Sequence, residues 1–170
     1  MLWTVKVAPS AQFLAWGIIM TKVPTRINLR RREVQLTDVS CVFCGLEEET
    51  NTHLFLTCNV TKKIWNMCNR WVEVSTAHHN QLKAHFQQFD VLTLNSKGNK
   101  LWKGVWVSII RNIWDHRNKI VFRQGKVDVE EIFTMAQLNA WTWIKYKIDK
   151  VNFSYSDWIL CPIQCLHSVT

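Results

Sequence analysis

Three cysteines and one histidine lie within eighteen residues of this 170-residue chain, at Cys41, Cys44, His53 and Cys58. Their spacing is C-x2-C-x8-H-x4-C. Two cysteines separated by two residues can bind one tetrahedral ion from a tight turn, and a second pair on a short loop completes four-coordination. Thiolates together with one imidazole select zinc, and four protein ligands leave no open position for water. The motif therefore predicts one structural Zn²⁺.

The residues around this motif have predicted roles of their own. Gly45 allows a positive φ, which lets backbone N–H groups turn toward the thiolate sulfurs. We interpret the run 47–49, three glutamates, as an exposed acidic loop tip that does not bind the metal. Cys68 falls on a helical apolar stripe and is predicted to be part of the core. The spacing of Cys161 and Cys165 matches no usual ligand pattern, so we interpret that pair as incidental.

The compartment decides whether the six cysteines are oxidised or reduced. The apolar segment 11–20 contains Gln12 and is followed by Lys22 and an arginine triplet, not by a small-residue cleavage site, so we do not predict a secretory signal. Its ten residues are about half of what a membrane-spanning helix needs. We therefore expect reduced thiols in an intracellular protein, nuclear or cytoplasmic, with no membrane span.

The net charge of +8 is concentrated in the middle of the chain. Residues 61–125 contain eleven Lys/Arg against three Asp/Glu, and the flanking segments are nearly neutral. A local basic excess suits a polyanion-binding surface, because neutralising phosphates releases condensed counterions. A solubilising helix face would show the same pattern. The predicted nucleic-acid contacts are Arg30, Arg31, Arg32, Lys62, Lys63, Arg70, Lys100, Lys103 and Arg111.

Apolar periodicity predicts an all-α fold, with an irregular zinc-binding insert between the N-terminal helices and those of the C-terminal half. Sparse glycine and proline support this class. Helices are predicted from Ser10 as an N-cap, from Thr25 as an N-cap, and over 59–72, 100–122 and 128–150.

Local sequence patterns also predict the start of one helix, one loop and an irregular C-terminal segment. Asp128 and Glu131 predict a capping box at the start of the last of these helices. Residues 95–99 are the strongest loop signal in the chain. Residues 152–170 show no period.

The two longest predicted helices, 100–122 and 128–150, are joined by only five residues. We therefore expect them to be antiparallel neighbours that pack through tryptophan-rich faces. At about 100° per residue, Arg117 falls on the edge of the apolar stripe of its helix. An arginine in that place is more often a structural pairing residue than a ligand contact.

The N-terminal part resembles a known family on a larger set of residues. The set comprises Trp3, Phe13-Leu14-Ala15-Trp16, Pro24-Thr25, Leu29, Arg32, the four predicted ligands, Leu54-Phe55 and Trp65. They look like the zinc-binding domain of plant non-LTR (LINE-type) retrotransposon reverse transcriptases. The resemblance covers residues 3 to about 72, and residues 113–122 are similar to what often follows in those polyproteins. It implies zinc ligation by the four residues of the motif and a nucleic-acid-binding role beside a polymerase.

The resemblance suggests a division of the chain. The predicted parts are a zinc-binding, reverse-transcriptase-associated domain over 1–72, a polar connector over 73–99, a helical hairpin over 100–150 and an irregular tail over 151–170. Family members usually have a lysine shortly after the first proline, where this chain has Pro9-Ser10-Ala11. Polymerase and endonuclease sequences are absent, so we interpret the chain as a stand-alone fragment of a retroelement protein.

The sequence does not predict an enzyme. A polymerase needs paired aspartates to bind its metal ions, and residues 155–157 supply one carboxylate alone. Two functions remain. The first is a zinc-stabilised, non-catalytic nucleic-acid-binding module, with RNA or single-stranded DNA as partner through phosphate contacts and stacking on exposed aromatic residues. The second is a structural or protein-interaction domain in which zinc only stabilises the fold.

Overall fold

The computed structural model describes residues 2–74, 80–149 and 151–169. It shows eight α-helices in these residues: α1 (Pro9–Ile19), α2 (Arg26–Arg31), α3 (Asn59–Trp71), α4 (Leu82–Gln87), α5 (Ser96–Arg123), α6 (Val129–Lys147), α7 (Tyr155–Leu160) and α8 (Pro162–Ser168). A 3₁₀ turn (Leu2–Thr4) precedes α1, and a π-helical turn (His53–Thr57) precedes α3. The described residues contain no strand, so the predicted all-α class is confirmed. Residues 75–79 of the predicted connector lie outside the described ranges.

The first two helices start differently from each other. The prediction of Ser10 as an N-cap was wrong, because α1 begins at Pro9 with Ala8 in the capping position. Proline suits the first turn of a helix, since its missing N–H would have no partner there. Thr25 caps α2 as predicted, and its hydroxyl accepts a hydrogen bond from the backbone N–H of Asn28.

The segment predicted as the strongest loop, 95–99, instead starts the longest helix. Asn95 is the N-cap of α5, and its side chain accepts a hydrogen bond from the N–H of Gly98 at 2.8 Å. The Asn99 side chain bonds the backbone of the preceding turn at Val91 and Leu94. Asparagine and glycine are favoured both in turns and at helix caps, so composition alone did not distinguish a loop from the start of a helix.

Helices α5 and α6 form the predicted antiparallel hairpin. Asp128 caps α6 by accepting from the N–H of Glu131 at 2.9 Å. The predicted capping box is not closed, because the N–H of Asp128 donates to His116 Nε2 at 3.1 Å. The Glu131 carboxylate instead pairs with Lys119 at 2.8 Å, across the two helices.

The hairpin does not pack through tryptophan-rich faces as predicted. Between the helices, the hydroxyl of Ser108 donates to the carbonyl of Ala136 at 2.7 Å, a contact that brings the two backbones close. Two tryptophans of α5, Trp102 and Trp106, instead turn toward α3 and α4. Trp102 lies 5.9 Å from Trp71, and Trp106 lies 6.5 Å from Trp65, measured between ring centroids.

The chain beyond residue 152 was predicted to be irregular, and this prediction was wrong. Ser154 and Asp157 form a reciprocal capping box that starts α7. Trp158 is completely buried, and its indole N–H donates to the carbonyl of Gln137 at 3.0 Å. Helices of six or seven residues are too short to show a clear apolar period, so tertiary packing decides that they form.

Candidate metal centre

The loop that carries the four predicted ligands is anchored to the first two helices by Asn51. This buried side chain accepts a hydrogen bond from Asn28 Nδ2 at 3.0 Å and donates to the carbonyl of Ile18 at 3.0 Å. Buried polar groups of this kind are stable only when they are hydrogen-bonded. Asn51 therefore holds the loop against α1 and α2 from one side.

Two local turns bring the ligands into position. Gly45 has a φ of +66°, as predicted, and its N–H donates to the carbonyl of Cys41 at 2.7 Å. On the other side, the N–H of Cys58 donates to the carbonyl of His53 at 2.8 Å and closes the π-helical turn. Wide turns of this type often occur at functional sites. Together, the turn at Gly45 and the π-helical turn place the pair Cys41 and Cys44 opposite the pair His53 and Cys58.

The ligand atoms of the four residues converge on one point. All of them lie within 4.8 Å of one another, with 4.0 Å between the sulfurs of Cys41 and Cys58 and 3.3 Å between Cys44 Sγ and His53 Nε2. A tetrahedral zinc with Zn–S bonds of about 2.3 Å places its ligand atoms about 3.5–3.8 Å apart. Three ligand residues are buried and Cys44 is half-buried. The residues thus fit a closed tetrahedral zinc.

The second nitrogen of the His53 imidazole lies beside a carboxylate. Nδ1 is 3.2 Å from Oε2 of Glu47, although the pair does not have hydrogen-bond geometry. Ligating histidines usually donate their other ring N–H to a carboxylate, carbonyl or water, and Glu47 is the carboxylate within reach of that role here. Glu47 is not one of the four residues whose ligand atoms converge. The sequence contained no signal for this contact.

The pKa values of Cys41 and Cys58 shift in opposite directions, because one hydrogen bond joins their sulfurs. The hydrogen bond from the Cys41 thiol lowers the pKa of Cys58, and the same hydrogen bond, together with burial, raises the pKa of Cys41. Backbone N–H groups of Phe43 and Cys44 favour the thiolate at Cys41, and those of Val60 and Thr61 favour it at Cys58. Main-chain donors aimed at both sulfurs stabilise the charge that a metal-bound thiolate carries.

The acidic run contains one residue whose position was predicted wrongly. Glu49 is completely buried, whereas the whole run was expected to be an exposed loop tip. Its Oε1 accepts from Arg117 at 2.7 Å and from the N–H of Arg26 at 3.0 Å. Arg117 is itself buried, so its prediction as a structural pairing residue is confirmed. The partner was missed because it lies 68 residues away in sequence.

The remaining cysteines take no part in this site. Cys68 is buried, as predicted, and burial raises the pKa of its thiol. Cys161 is exposed, Cys165 is buried, and both are free thiols. Within the described ranges 2–74, 80–149 and 151–169, only the four predicted ligands form a group of three or more Cys, His, Asp or Glu side chains close enough to share an ion.

The predicted nucleic-acid contacts lie on three helices. Arg30 and Arg31 end α2, and Arg32 follows directly. The other predicted contacts are on α3 (Lys62, Lys63 and Arg70) and on α5 (Lys100, Lys103 and Arg111). On α3, Lys62, Lys63 and Arg70 are all exposed, and within the described part of the chain their side chains have no polar partner. Arg31 on α2 and Lys100 on α5 are also exposed, and their side chains likewise have no polar partner among the described residues.

The other four predicted contacts bind groups inside the molecule. They are Arg30 with Glu48 at 3.1 Å, Lys103 with Asp90 at 2.9 Å, Arg111 with Asp115 at 3.4 Å, and Arg32 with the carbonyl of Lys22 at 2.6 Å. The Lys103 ammonium also lies over the ring of Phe86. These cations are therefore less available to an external anion than those of α3.

Stacking on bases was expected of exposed aromatic residues. In the basic middle segment, Trp65, Trp102 and Trp106 are each at most 2% exposed, so they are not available for stacking. Phe122 at the end of this segment is 75% exposed, and Trp3 outside it is 56% exposed. The tryptophans of the middle segment named here thus form part of the core and not a stacking platform. Among the described residues, no helix has the length and apolar character needed to cross a membrane.

Comparison with known proteins agrees with this geometry. Residues 1–65 match the family model described as zinc-binding in reverse transcriptase, and this range contains all four ligands. No curated protein and no solved structure matches the chain. The N-terminal part of the chain, residues 1–65, is thus similar to the zinc-binding domain of reverse transcriptase.

Proposed function

We propose that this protein is a zinc-stabilised, non-catalytic module that binds nucleic acid, RNA or DNA, through its phosphate backbone. The observation that carries the proposal is the position of the unpaired cations. Helix α3 begins directly after the ligand Cys58, and it carries Lys62, Lys63 and Arg70 on its exposed surface. Zinc binding would fix the first turn of the helix that presents these charges.

The cations of α3 differ from several other cations of the molecule, which form ion pairs with carboxylates. Lys103, Arg111 and Lys119 on α5 each contact a carboxylate, as does Arg30 on α2. Within α3 there is no acidic residue, so its cations have no carboxylate neighbour on their own helix. An unpaired group of cations is suited to a polyanion, which replaces the missing counter-charge.

The proposal assigns no catalysis to the chain. The described residues contain one group of three or more Cys, His, Asp or Glu side chains close enough to share an ion, and its four members are the zinc ligands. With all four positions taken by protein, such an ion has no site for a reactive water. We therefore propose that the zinc contributes stability and orientation only.

A second candidate function is supported by an aromatic pair at the N-terminus. Trp3 is 56% exposed and Phe13 is 65% exposed, and their rings form an edge-to-face contact with centroids 5.7 Å apart. Exposed aromatic side chains are enriched in protein interfaces. This surface favours a protein partner, for which the zinc domain would be a structural support.

A salt titration tests the proposed function. Binding of the zinc-loaded protein to fluorescein-labelled single-stranded RNA, single-stranded DNA and duplex DNA is measured by fluorescence anisotropy between low and physiological salt. Three engaged cations give a log–log slope of roughly −2 to −3, because each contributes about 0.7 on single strands and 0.9 on duplex DNA. Absence of binding to all three probes at low salt would refute nucleic-acid binding and leave the structural or protein-interaction function.

A further inference from the structure

Helix α3 has a sharply two-sided surface. Its buried residues are Thr61, Ile64, Trp65 and Cys68, which lie together on one side at about 100° per residue. The exposed residues Asn59, Lys62, Lys63, Asn66 and Arg70 fall within an arc of about 100° on the opposite side. We call these five residues the α3 polar face. It contains three cations, two amides, no carboxylate and no aromatic ring.

The order of side chains across this face is informative. By the same helical geometry, Asn59 and Asn66 lie along the middle of the arc. Lys62 lies on one edge, and Lys63 and Arg70 lie toward the other. The exposed amide of Asn59 can both donate to and accept from a base edge, whereas Lys and Arg bind phosphates. A polar centre flanked by cations matches the cross-section of a nucleic-acid groove, with base edges on its floor and a phosphate backbone on each wall.

The dimensions agree with this arrangement. With its side chains, an α-helix is about 10–12 Å in diameter. The major groove of B-form DNA is about 12 Å wide and admits an α-helix. The major groove of A-form RNA is deep and too narrow for side chains to read. Single strands are recognised largely by stacking on aromatic rings, and the α3 polar face has none.

We propose that the α3 polar face binds in the major groove of duplex DNA, which would make duplex DNA the preferred ligand over single strands and duplex RNA. This inference rests on the proposed nucleic-acid binding, and it names the form of the ligand and the element that binds it. The zinc ligand Cys58 immediately before α3 sets the position of the helix at its N-terminal end.

The test compares one sequence of about 20 nucleotides as duplex DNA, single-stranded DNA, single-stranded RNA and duplex RNA. The zinc-loaded wild-type protein should bind the DNA duplex at least tenfold more tightly than the other three at low salt. The variant K62Q/K63Q/R70Q should lose most of this affinity, and its salt slope on duplex DNA should fall by about 2.7, since each lost phosphate contact removes about 0.9.

A matched control removes the same charge elsewhere. Lys126, Lys145 and Lys147 are exposed and lie just before or within α6. The variant K126Q/K145Q/K147Q should keep the duplex preference and a slope close to that of wild type. Circular dichroism and zinc content of both triple variants should equal wild type, because all six positions are on the surface.

Each outcome separates the inference from the proposed function. Equal or tighter binding to single strands would overturn duplex recognition, although nucleic-acid binding would stand. Equal binding to duplex RNA would overturn insertion into the DNA major groove. If duplex preference persists in K62Q/K63Q/R70Q, or is lost equally in the control variant, then α3 is not the binding element. A protein that binds none of the probes would overturn both proposals.

Discussion

Arg117 and Glu49 form a buried ion pair that joins the long helix α5 to the metal-binding loop. The guanidinium donates to Oε1 of Glu49 from Nη2 at 2.7 Å and from Nε at 3.2 Å, and the two side chains are 4% and 0% exposed. Glu49 also accepts from the N–H of Arg26 at 3.0 Å and of Val42 at 3.4 Å, next to the ligand Cys41. Arg117 lies outside the family match over 1–65, so the zinc-binding segment and α5 depend on each other.

Removal of one partner of this pair should be strongly destabilising. In Arg117→Ala the Glu49 carboxylate stays buried without its cation, and breaking a buried pair in this way costs about 3–5 kcal/mol. Urea denaturation of the zinc-loaded protein, followed by tryptophan fluorescence, measures the change in the free energy of unfolding.

The exposed pair of Arg30 and Glu48 provides the control. Both side chains are more than half exposed, so Arg30→Ala should cost only about 0–1 kcal/mol. Equal losses in Arg117→Ala and Arg30→Ala would contradict the structural role of the buried pair.

Purified protein should contain one zinc per chain, and Cys44→Ser should lose both the metal and much of its folded structure. Structural zinc binding is itself folding free energy, and the loop around the ligands has little secondary structure of its own. Metal analysis by mass spectrometry, together with circular dichroism, measures both effects.

Cys161→Ser is the matched substitution for the metal experiment, because this thiol is exposed and is not part of the ligand group. It should keep full zinc content. A wild-type zinc content near zero, or normal folding of Cys44→Ser, would rule out a structural metal.

Truncation of Trp106 should destabilise the core. Its side chain is completely buried, its indole N–H donates to His85 Nδ1 at 2.8 Å, and its ring packs 4.9 Å from Phe86. Trp106→Ala should therefore cost about 3–5 kcal/mol in chemical denaturation. Tyr146→Ala removes an aromatic ring that is 85% exposed and should change stability by no more than about 0.5 kcal/mol. A loss below 1 kcal/mol in Trp106→Ala would be inconsistent with this packing.

Charge reversal should have different effects at two lysines of the same helix. Lys103 pairs with Asp90 at 2.9 Å, so Lys103→Glu replaces an attraction with a repulsion between carboxylates. Lys100 is exposed and has no polar partner in the described residues, so Lys100→Glu removes no such contact. We expect Lys103→Glu to be less stable than Lys100→Glu by about 1 kcal/mol. Thermal denaturation of the two variants measures the difference, and equal midpoints would show that the Lys103–Asp90 pair contributes nothing.

The features that could be predicted from sequence are those encoded by neighbouring residues. The zinc ligand group follows from four residues within eighteen, since chelation by a short loop depends mainly on local spacing. Helix α3, the Thr25 cap and the Asp128 cap follow from apolar period and side-chain hydrogen bonding over three or four residues. The all-α class follows from the same local patterns.

Only the tertiary structure decided the features that depend on distant residues. The helices of the tail are stabilised by packing that local composition does not reveal, as the burial of Trp158 against α6 shows. The burial of Glu49 needed Arg117, because a carboxylate leaves water only where a cation and further donors replace its hydration. The pairing of Lys103 with Asp90, and the lack of a polar partner at Lys62, Lys63 and Arg70 among the described residues, were equally invisible in sequence. Charge is a property of the residue, but its availability to a ligand is set by what the fold places beside it.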